Sequence, residues 1–233
     1  MKKVILFSAG MDSHMLAHAF PDATLLFIDS GARYTEKELA SIKKTAPREP
    51  IIVRNVLDLS QYERDDAIVP ARNLLLATVA SYYGDQLIIG ATAGDNSTDK
   101  DAWFAELAAT TLNHIYSCSH FNRPKVSIEL PFKNLSKGQM LDEYLLSLGD
   151  LDTLINTTSC YSDVDGHCGQ CKACIRKWTA FVSRGIDIES IFTQSPIYFD
   201  WTGIAELIES GKGWRCADED AYTMEVLTEL SLV

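Results

Sequence analysis

The chain has 233 residues, of which 46% are hydrophobic and 23% charged, so it can bury a core as one domain with an appendage or as two small domains. Its net charge of −11 argues against a general binder of nucleic acids or membrane surfaces, because phosphate groups are bound through Lys and Arg. No apolar run reaches transmembrane length, and the short one near the N-terminus has no signal cleavage pattern. We therefore expect a cytoplasmic protein with no membrane partner and no direct nucleic-acid partner.

Predicted strands and helices alternate over the first 150 residues. A strand over 4–7 precedes a helix over 12–20, and a strand over 24–28 precedes a helix over 35–45, with Thr35 as N-cap and Glu38 completing a capping box. Strands over 51–56, 86–89 and 126–130 precede helices over 71–83, 101–116 and 136–148, the last with Ser136 as N-cap. This order predicts an α/β fold with a Rossmann-like parallel sheet covered by helices on both faces.

Ligands of such sheets bind at the carboxyl ends of the strands. We therefore expect ligand-binding residues in the loops that follow the predicted strands, at 8–13, 29–34, 66–73, 90–101 and 131–137. The pattern changes after residue 150, where a cysteine cluster is followed by a predicted helix over 171–184 and an acidic stretch. We divide the chain into an α/β domain over 1–150, a cysteine-rich subdomain over 151–184 and a C-terminal segment of unknown role over 185–233.

The first candidate site is the turn between the first strand and the first helix, with the sequence SAGMDS at residues 8–13. Backbone amides at a helix start bind phosphate, and the hydroxyls of Ser8 and Ser13 can donate as well. Gly10 lets a ligand approach the backbone closely. Neither of the two common glycine-rich phosphate motifs is present. The turn alone is compatible with an anion site or with a plain capped helix.

The second candidate site is a group of four of the six cysteines within fifteen positions: Cys160, Cys168, Cys171 and Cys174. In a cytoplasmic chain such clustering indicates a metal site rather than disulfides. Four thiolates complete a tetrahedral Zn²⁺ shell and leave no open position, which favours a structural role. His167 is a less suitable ligand, because its neighbour Cys168 strains simultaneous binding.

The turn SAGMDS resembles the SGGxDS signature of the PP-loop ATP pyrophosphatases, with Ala9 at the position of a glycine. Together with the cysteines, it resembles the QueC family of 7-cyano-7-deazaguanine synthases. Three further stretches agree in family order: VPARN at 69–73, IG with Asp95 and Ser97 at 89–97, and LSK at 135–137. The stretch 29–34 keeps only Asp29, Gly31 and Arg33 of the family pattern, and 98–103 departs from it.

The resemblance implies a PP-loop fold of the adenine nucleotide alpha hydrolase type with a small C-terminal zinc-binding subdomain. It implies an ATP-dependent ligase that converts 7-carboxy-7-deazaguanine and ammonia to the nitrile through adenylated carboxylate and amide intermediates. Its cofactors would be structural Zn²⁺ and ATP with Mg²⁺, and its partners small-molecule substrates and a second copy of the chain in a homodimer.

The resemblance also implies roles for individual residues. The turn would hold the phosphates of ATP, and Asp12 would orient the loop or bind Mg²⁺, with a plain N-cap as the alternative. The residues that would bind ATP are Ser8, Ala9, Gly10, Met11, Asp12, Ser13, Asp29 and Arg33. The residues that would act in catalysis are Asp12, Arg72, Asp95 and Lys137. The residues that would contact the deazapurine or ammonium are Asn73, Asp95, Ser97, Asp99 and Asp101, although Asp101 is also placed to cap the next helix.

Three other functions stay open on the sequence. An enzyme of the same family could stop at the amide, because the loop 98–103 is altered. A tRNA-modifying PP-loop enzyme could use the cysteines for sulfur or a cluster, although the net charge of −11 and the lack of a basic extension count against it. The chain could also be a binding module without enzymatic activity, held together by zinc, whose PP-loop has lost its function through the change to Ala9.

Overall fold

The computed structural model describes residues 1–65, 68–118, 122–162 and 164–233. Its strands are β1 (Lys3–Leu6), β2 (Thr24–Ile28), β3 (Ile51–Val53), β4 (Gln86–Ile88) and β5 (Ser127–Glu129). They form a sheet in the order β3-β2-β1-β4-β5, and every pair is parallel. Parts of the predicted loop 66–73, residues 66 and 67, lie outside the described residues.

This strand order reverses direction between β1 and β4. Chain segments leave these two neighbouring strands toward opposite sides, so a crevice opens beyond their carboxyl ends. The crevice is bordered by the turn after β1 and by the loop after β4, which are two of the predicted ligand loops. The Rossmann-like α/β fold predicted from the alternation of elements is confirmed.

Helices connect and cover the strands. Their bounds are α1 (Met11–Ala19), α2 (Thr35–Thr45), α3 (Arg72–Ala80), α4 (Ala102–Tyr116), α5 (Lys137–Leu146), α6 (Leu151–Ile155), α7 (Lys172–Val182), α8 (Thr202–Glu209) and α9 (Ala217–Glu229). Short 3₁₀ turns lie at Ser60–Tyr62, Thr98–Lys100, Glu189–Ile191 and Pro196–Tyr198. Among the described residues, no helix combines the length and the apolar character needed to cross a bilayer.

Two predicted helix starts have opposite outcomes. Ser136 accepts a hydrogen bond from Gln139 N, and the Gln139 side chain accepts one from Ser136 N, so the predicted cap is confirmed as a full capping box. The capping box predicted at Thr35 is wrong, because Tyr34 precedes the helix and no side chain caps it. The Thr35 hydroxyl instead donates to Asp29 Oδ1 at 3.4 Å.

Several predicted bounds also differ. The third strand ends at Val53 rather than at residue 56, and Asn55 follows with a φ of 62° that a strand cannot contain. The helix predicted over 71–83 begins at Arg72, because Ala71 is left-handed with a φ of 58°. Helices α6, α8 and α9 were not predicted.

Side chains of the strands alternate between two apolar layers, as a period of two requires. Ile5 points to the layer that includes Leu16 of α1 and Leu39 of α2, whereas Val4 points to the layer that includes Ala77 of α3. A further core lies beyond the sheet and joins α1, α5, α7, α8 and α9. Its fully or nearly fully buried members include Met15, Leu141, Trp178, Trp201 and Val226. The division at residues 150 and 184 stays a prediction.

Candidate active site

The turn after β1 has a left-handed residue at its centre. Ala9 has a φ of 55° and is fully buried, in a conformation that costs a residue with a Cβ about 1–2 kcal/mol and costs glycine little. The Ser13 hydroxyl donates to Gly10 O at 3.1 Å. No side chain caps α1, so the amides of its first turn are available to an anion.

The stretch that precedes the cysteines packs directly on this turn. Thr158 N donates to Ala9 O at 3.1 Å and to Ser41 Oγ at 3.1 Å, and the Ser41 hydroxyl donates to Ala9 O at 3.2 Å. A Cβ on Gly10 would lie only 3.3 Å from Thr158 O, so a larger residue here would have to displace the Thr158 segment slightly. The two sequence motifs, 150 residues apart in the chain, therefore meet in the fold.

Asp12 and Lys137 form an ion pair between the first turn of α1 and the first turn of α5. Lys137 is 9% exposed, and the carboxylate of Asp12 remains partly open. The loop after β4 also reaches this point, since a Cβ on Gly90 would lie 3.3 Å from Asp12 Cβ. Two of the predicted catalytic residues are thus in contact at the crevice between β1 and β4.

Asp95 is held in the loop after β4 by a guanidinium group. Arg176 Nη1 donates to Asp95 Oδ1 at 2.8 Å, and Thr92 N donates to Asp95 Oδ2 at 3.1 Å. Burial alone would raise the pKa of Asp95, but Lys100 and Arg176 hold the pKa of this carboxyl well below its usual range. The Asp95 carboxylate is therefore a fixed negative charge, and its side chain is 13% exposed.

Four of the five predicted substrate residues lie along one continuous stretch over 95–101, and the fifth, Asn73, lies in α3. Asn73 Nδ2 donates to Asp99 O at 3.1 Å, which ties the start of α3 to this stretch, and the Ser97 hydroxyl donates to the Asp99 carboxylate. Asp101 accepts a hydrogen bond from Phe104 N at 2.7 Å and caps α4, the alternative that the sequence also offered. No contact in the structure tests a substrate role for these residues.

Arg72 lies in a cluster of tyrosines and carboxylates. Its guanidinium donates to the hydroxyl of Tyr34, whose ring lies 5.1 Å from that of Tyr161. Burial alone would lower the pKa of Arg72, but Tyr34, Tyr161 and Glu38 raise it overall. Desolvation raises the pKa of Glu38 to about 8, with Arg72 opposing the rise. Arg72 is thus a permanently charged cation in a largely desolvated setting.

The structure places the two remaining predicted ATP ligands in local contacts of their own. Asp29 Oδ1 accepts from Gly31 N at 2.9 Å and organises the loop after β2. Arg33 Nε pairs with Glu63 Oε1 at 2.7 Å, and the Arg33 side chain is 39% exposed. Neither of these contacts joins the turn after β1, so their roles stay predictions.

The four cysteines form a group that could hold a metal ion. Their Sγ atoms lie within 4.8 Å of one another, and those of Cys168 and Cys174 are 3.9 Å apart. Four sulfurs bound at ~2.3 Å to one tetrahedral zinc ion would be ~3.8 Å apart. Backbone amides donate to three of these sulfurs at 3.3–3.4 Å, as thiolate ligands require: Cys168 N to Cys160, Cys171 N to Cys168, and Cys174 N to Cys171.

Two neighbouring basic groups support the cysteine group without joining it. His167 Nε2 lies 3.1 Å from Thr157 O, the residue is not a member of the four-cysteine group, and burial lowers its pKa to about 4. Lys177 is fully buried and donates to Ile155 O and Thr157 O at 2.7 Å each. The stretch that leads from α6 to the cysteines is therefore held by hydrogen bonds from buried side chains to its backbone carbonyls.

Sequence reasoning missed Arg176 and Glu219, which form a buried ion pair beside Asp95. Arg176 had a signal, since charged residues within the otherwise apolar run CIRKWTAFV at 174–182 need partners. Glu219 had none, because it lies among acidic neighbours in a segment with no recognisable motif. The cluster of Tyr34, Glu38 and Tyr161 around Arg72 was missed as well.

A parallel sheet with an open helix start at its reversal point and a four-cysteine group beside it defines a Rossmann-like α/β protein that could hold a metal ion. A family model described as "Queuosine biosynthesis protein QueC" matches residues 51–185. The chain belongs to the QueC family. The resemblance inferred from the motifs is confirmed.

Curated relatives agree with this assignment. A protein of Acetivibrio thermocellus named 7-cyano-7-deazaguanine synthase is 30% identical over 216 residues, which cover 79% of this chain and 95% of that protein. Proteins of the same name from Marinobacter nauticus and Methanocaldococcus jannaschii are 27% and 26% identical over 215 and 230 residues. These matches cover 78% and 80% of this chain, and 93% and 97% of the relatives.

Proposed function

We propose that this chain is an ATP-dependent carbon–nitrogen ligase that forms 7-cyano-7-deazaguanine from 7-carboxy-7-deazaguanine and ammonia. The observation that carries the proposal is the junction of the turn after β1 with the cysteine segment, through Thr158 and Ala9, in a chain of the QueC family. Relatives that match about four fifths of the chain bear the name of this activity.

The chemistry demands activation of a poor electrophile twice. The carboxylate oxygen attacks the α-phosphorus of ATP, pyrophosphate leaves, and ammonia then displaces AMP to give the amide. The amide oxygen attacks a second ATP, pyrophosphate leaves again, and loss of AMP and a proton gives the nitrile. Such attack at phosphorus needs charge neutralisation and alignment more than a protein nucleophile.

The residues of the crevice fit these needs. The amides at the start of α1, with Ser8 and Ser13, would bind the departing pyrophosphate. Lys137 would neutralise phosphate charge, and Asp12, its partner in this structure, would bind Mg²⁺ when ATP enters. Arg72 would supply a second cation, because its charge persists in a desolvated setting.

The other predicted ligands belong to the substrate side of the proposal. Asp95, fixed and ionised, would accept hydrogen bonds from ring or amino N–H groups of the deazapurine or from ammonium. The remaining members of this group are Asn73, Ser97, Asp99 and Asp101. Zinc in the four-cysteine group would be structural, since a full shell of sulfur leaves no position for a substrate.

The experiment is an incubation of the purified chain with 7-carboxy-7-deazaguanine, ATP, Mg²⁺ and ammonium, followed by mass spectrometry of the products. The expected result is the nitrile with two AMP per nitrile formed. Absence of AMP release with this substrate would refute the proposal. The amide as final product, heavier than the nitrile by one water, would replace it with the shorter reaction.

A further inference from the structure

Helix α9 presents three consecutive carboxylates to three different elements. Asp218 Oδ2 accepts a hydrogen bond from the Ser136 hydroxyl, the N-cap of α5, at 2.5 Å. Asp220 accepts from the backbone amides of Trp214 and Arg215 at 3.2 Å and 2.8 Å. Glu219, between them, points into the protein and is fully buried.

Glu219 contacts both sides of the crevice at once. Arg176 Nε donates to Glu219 Oε2 at 2.7 Å, and Arg176 Nη2 donates to Oε1 at 2.6 Å, in a two-point pair. Lys137 N donates to the same Oε1 at 3.1 Å. The third nitrogen of the guanidinium, Nη1, is thereby directed to Asp95.

The same segment also covers the loop after β4. Arg215 Nη1 donates to Gly94 O at 3.2 Å, and Asn96 Nδ2 donates to Trp214 O at 3.3 Å. A Cβ on Gly94 would lie 2.5 Å from Arg176 Nη2, so the loop rests directly on the Arg176–Glu219 pair. The family model ends at residue 185, and α9 therefore lies outside the stretch that it matches.

We propose that Glu219 is a positioning residue of the candidate active site, which holds Arg176 against Asp95 and fixes the start of α5 at Lys137. The C-terminal segment is then a working part of the site rather than an appendage. The expected effect on turnover rests on the proposed function, whereas the expected effect on local hydrogen exchange rests on the contacts alone.

The physical reason lies in the geometry of the guanidinium group. Glu219 binds Arg176 Nε and Nη2, and Thr92 Oγ1 accepts a second hydrogen bond from Nη2 at 2.6 Å, so that Nη1 faces Asp95. Without the Glu219 carboxylate, the buried guanidinium loses its two-point partner and only Thr92 still holds that edge. The contact between Asp95 and Arg176 is then weakened, and with it the position of the loop after β4. The first turn of α5 loses a backbone acceptor at the same time.

The first experiment compares Glu219→Gln with Glu225→Gln, an exposed glutamate six residues further along α9. Residue-resolved amide hydrogen exchange is measured on the zinc-loaded chain without substrate. We expect at least tenfold faster exchange at residues 92–97 and 137 in Glu219→Gln, and no change in Glu225→Gln. Uniformly faster exchange, or wild-type rates at these residues, would overturn the inference.

The second experiment measures turnover. With the deazapurine, ATP and ammonium, Glu219→Gln should lower kcat by about tenfold to a hundredfold, as small displacements of reacting groups do. The dissociation constant of Mg-ATP should change by a smaller factor than kcat. An unchanged kcat per folded molecule would show a merely structural role and overturn the inference.

A second variant covers the case in which Glu219→Gln does not fold. Gly94→Ala leaves α9 intact, and its Cβ would lie 2.5 Å from Arg176 Nη2 and 2.7 Å from Glu219 Oε1, so the loop and this pair cannot keep their present contact; we expect the same local exchange and the same loss of kcat. If wild type itself forms no AMP, the proposed function fails, and the exchange experiment still decides the role of Glu219. Wild-type exchange in Gly94→Ala would contradict the inference.

Discussion

Trp201→Ala tests whether the C-terminal segment is part of the main cooperative unit. Trp201 is 2% exposed, and its ring centroid lies 5.7 Å from that of Trp178 in α7 and 5.1 Å from that of Phe199. Its indole nitrogen donates to Pro196 O at 3.1 Å. Trp201 thus connects the segment after residue 185 to α7, the helix that contains Arg176 and Lys177.

The expected loss follows from the buried area. An indole that loses about 200 Å² of contact with water on folding contributes about 5 kcal/mol at about 25 cal/mol per Å². Partial collapse of the cavity and the lost aromatic contacts bring measured Trp→Ala costs to about 3–5 kcal/mol. We expect a loss of about 4 kcal/mol, which lowers the melting temperature of a chain of this length by about 10 °C.

The assay is urea unfolding of the zinc-loaded chain, followed by far-ultraviolet circular dichroism and by tryptophan fluorescence. The control is Tyr198→Ala, three residues earlier, at a side chain that is 76% exposed; it should change stability by less than about 0.5 kcal/mol. A loss under 1 kcal/mol in Trp201→Ala would refute the reasoning. So would an early transition of the C-terminal segment that leaves the main transition at its wild-type midpoint.

Three further changes are predicted. Cys168→Ser should reduce bound zinc from one ion per chain to well below one in elemental analysis, whereas Cys118→Ser, at an exposed cysteine outside the group, should leave it unchanged; equal zinc in both would contradict the cluster. Lys137→Met should lower AMP formation by about a hundredfold or more, and Lys133→Met, at an exposed lysine, should not. Because desolvation raises the pKa of Glu38 from 4.5 to about 8, the native state binds a proton that the unfolded state releases, and the contribution of this one group to wild-type stability is lost as the pH rises from about 5 to 8. Glu38→Gln should remove this loss, so its stability relative to wild type should rise between pH 4 and pH 9 by up to about 5 kcal/mol, at about 1.4 kcal/mol per pKa unit, in thermal unfolding across pH; parallel pH curves would refute it.

The sheet and its helices could be predicted because each element has its own hydrophobic periodicity and its own capping or turn residues at its ends. Ser136 was recognised as a cap since its partner Gln139 is three residues away and nothing competes for it. Thr35 had the same local pattern with Glu38, but the loop after β2 brings Asp29 to its hydroxyl. The contact with this loop, six residues earlier in the chain, replaced the capping box.

The candidate site could be predicted only where its residues lie in short motifs. The turn after β1 and the four cysteines are each recognisable as a local pattern. In the structure they are neighbours, because Thr158, just before the first cysteine, donates a hydrogen bond to Ala9 O in the turn. The Arg176–Glu219 pair joins residues 43 positions apart, and no spacing rule links an acidic helix start to a zinc-adjacent helix. A charged residue in an apolar helix signals that a partner exists without saying which one.

The charges of the crevice explain why its loops keep one arrangement. Lys137 at the start of α5 pairs with Asp12 at the start of α1. Arg176 in α7 pairs with Asp95 in the loop after β4. Glu219 connects the two pairs, because it binds the Arg176 guanidinium and the backbone amide of Lys137. Buried ion pairs add little net stability compared with apolar packing, because each charge has lost its water. Their benefit here is geometric: a displaced loop would leave an unpaired buried charge, and that cost favours the single arrangement in which cations and carboxylates face one crevice. The cations and carboxylates of the crevice are therefore held in place by one another without a ligand, which is the preorganisation that the proposed reaction at phosphorus would need.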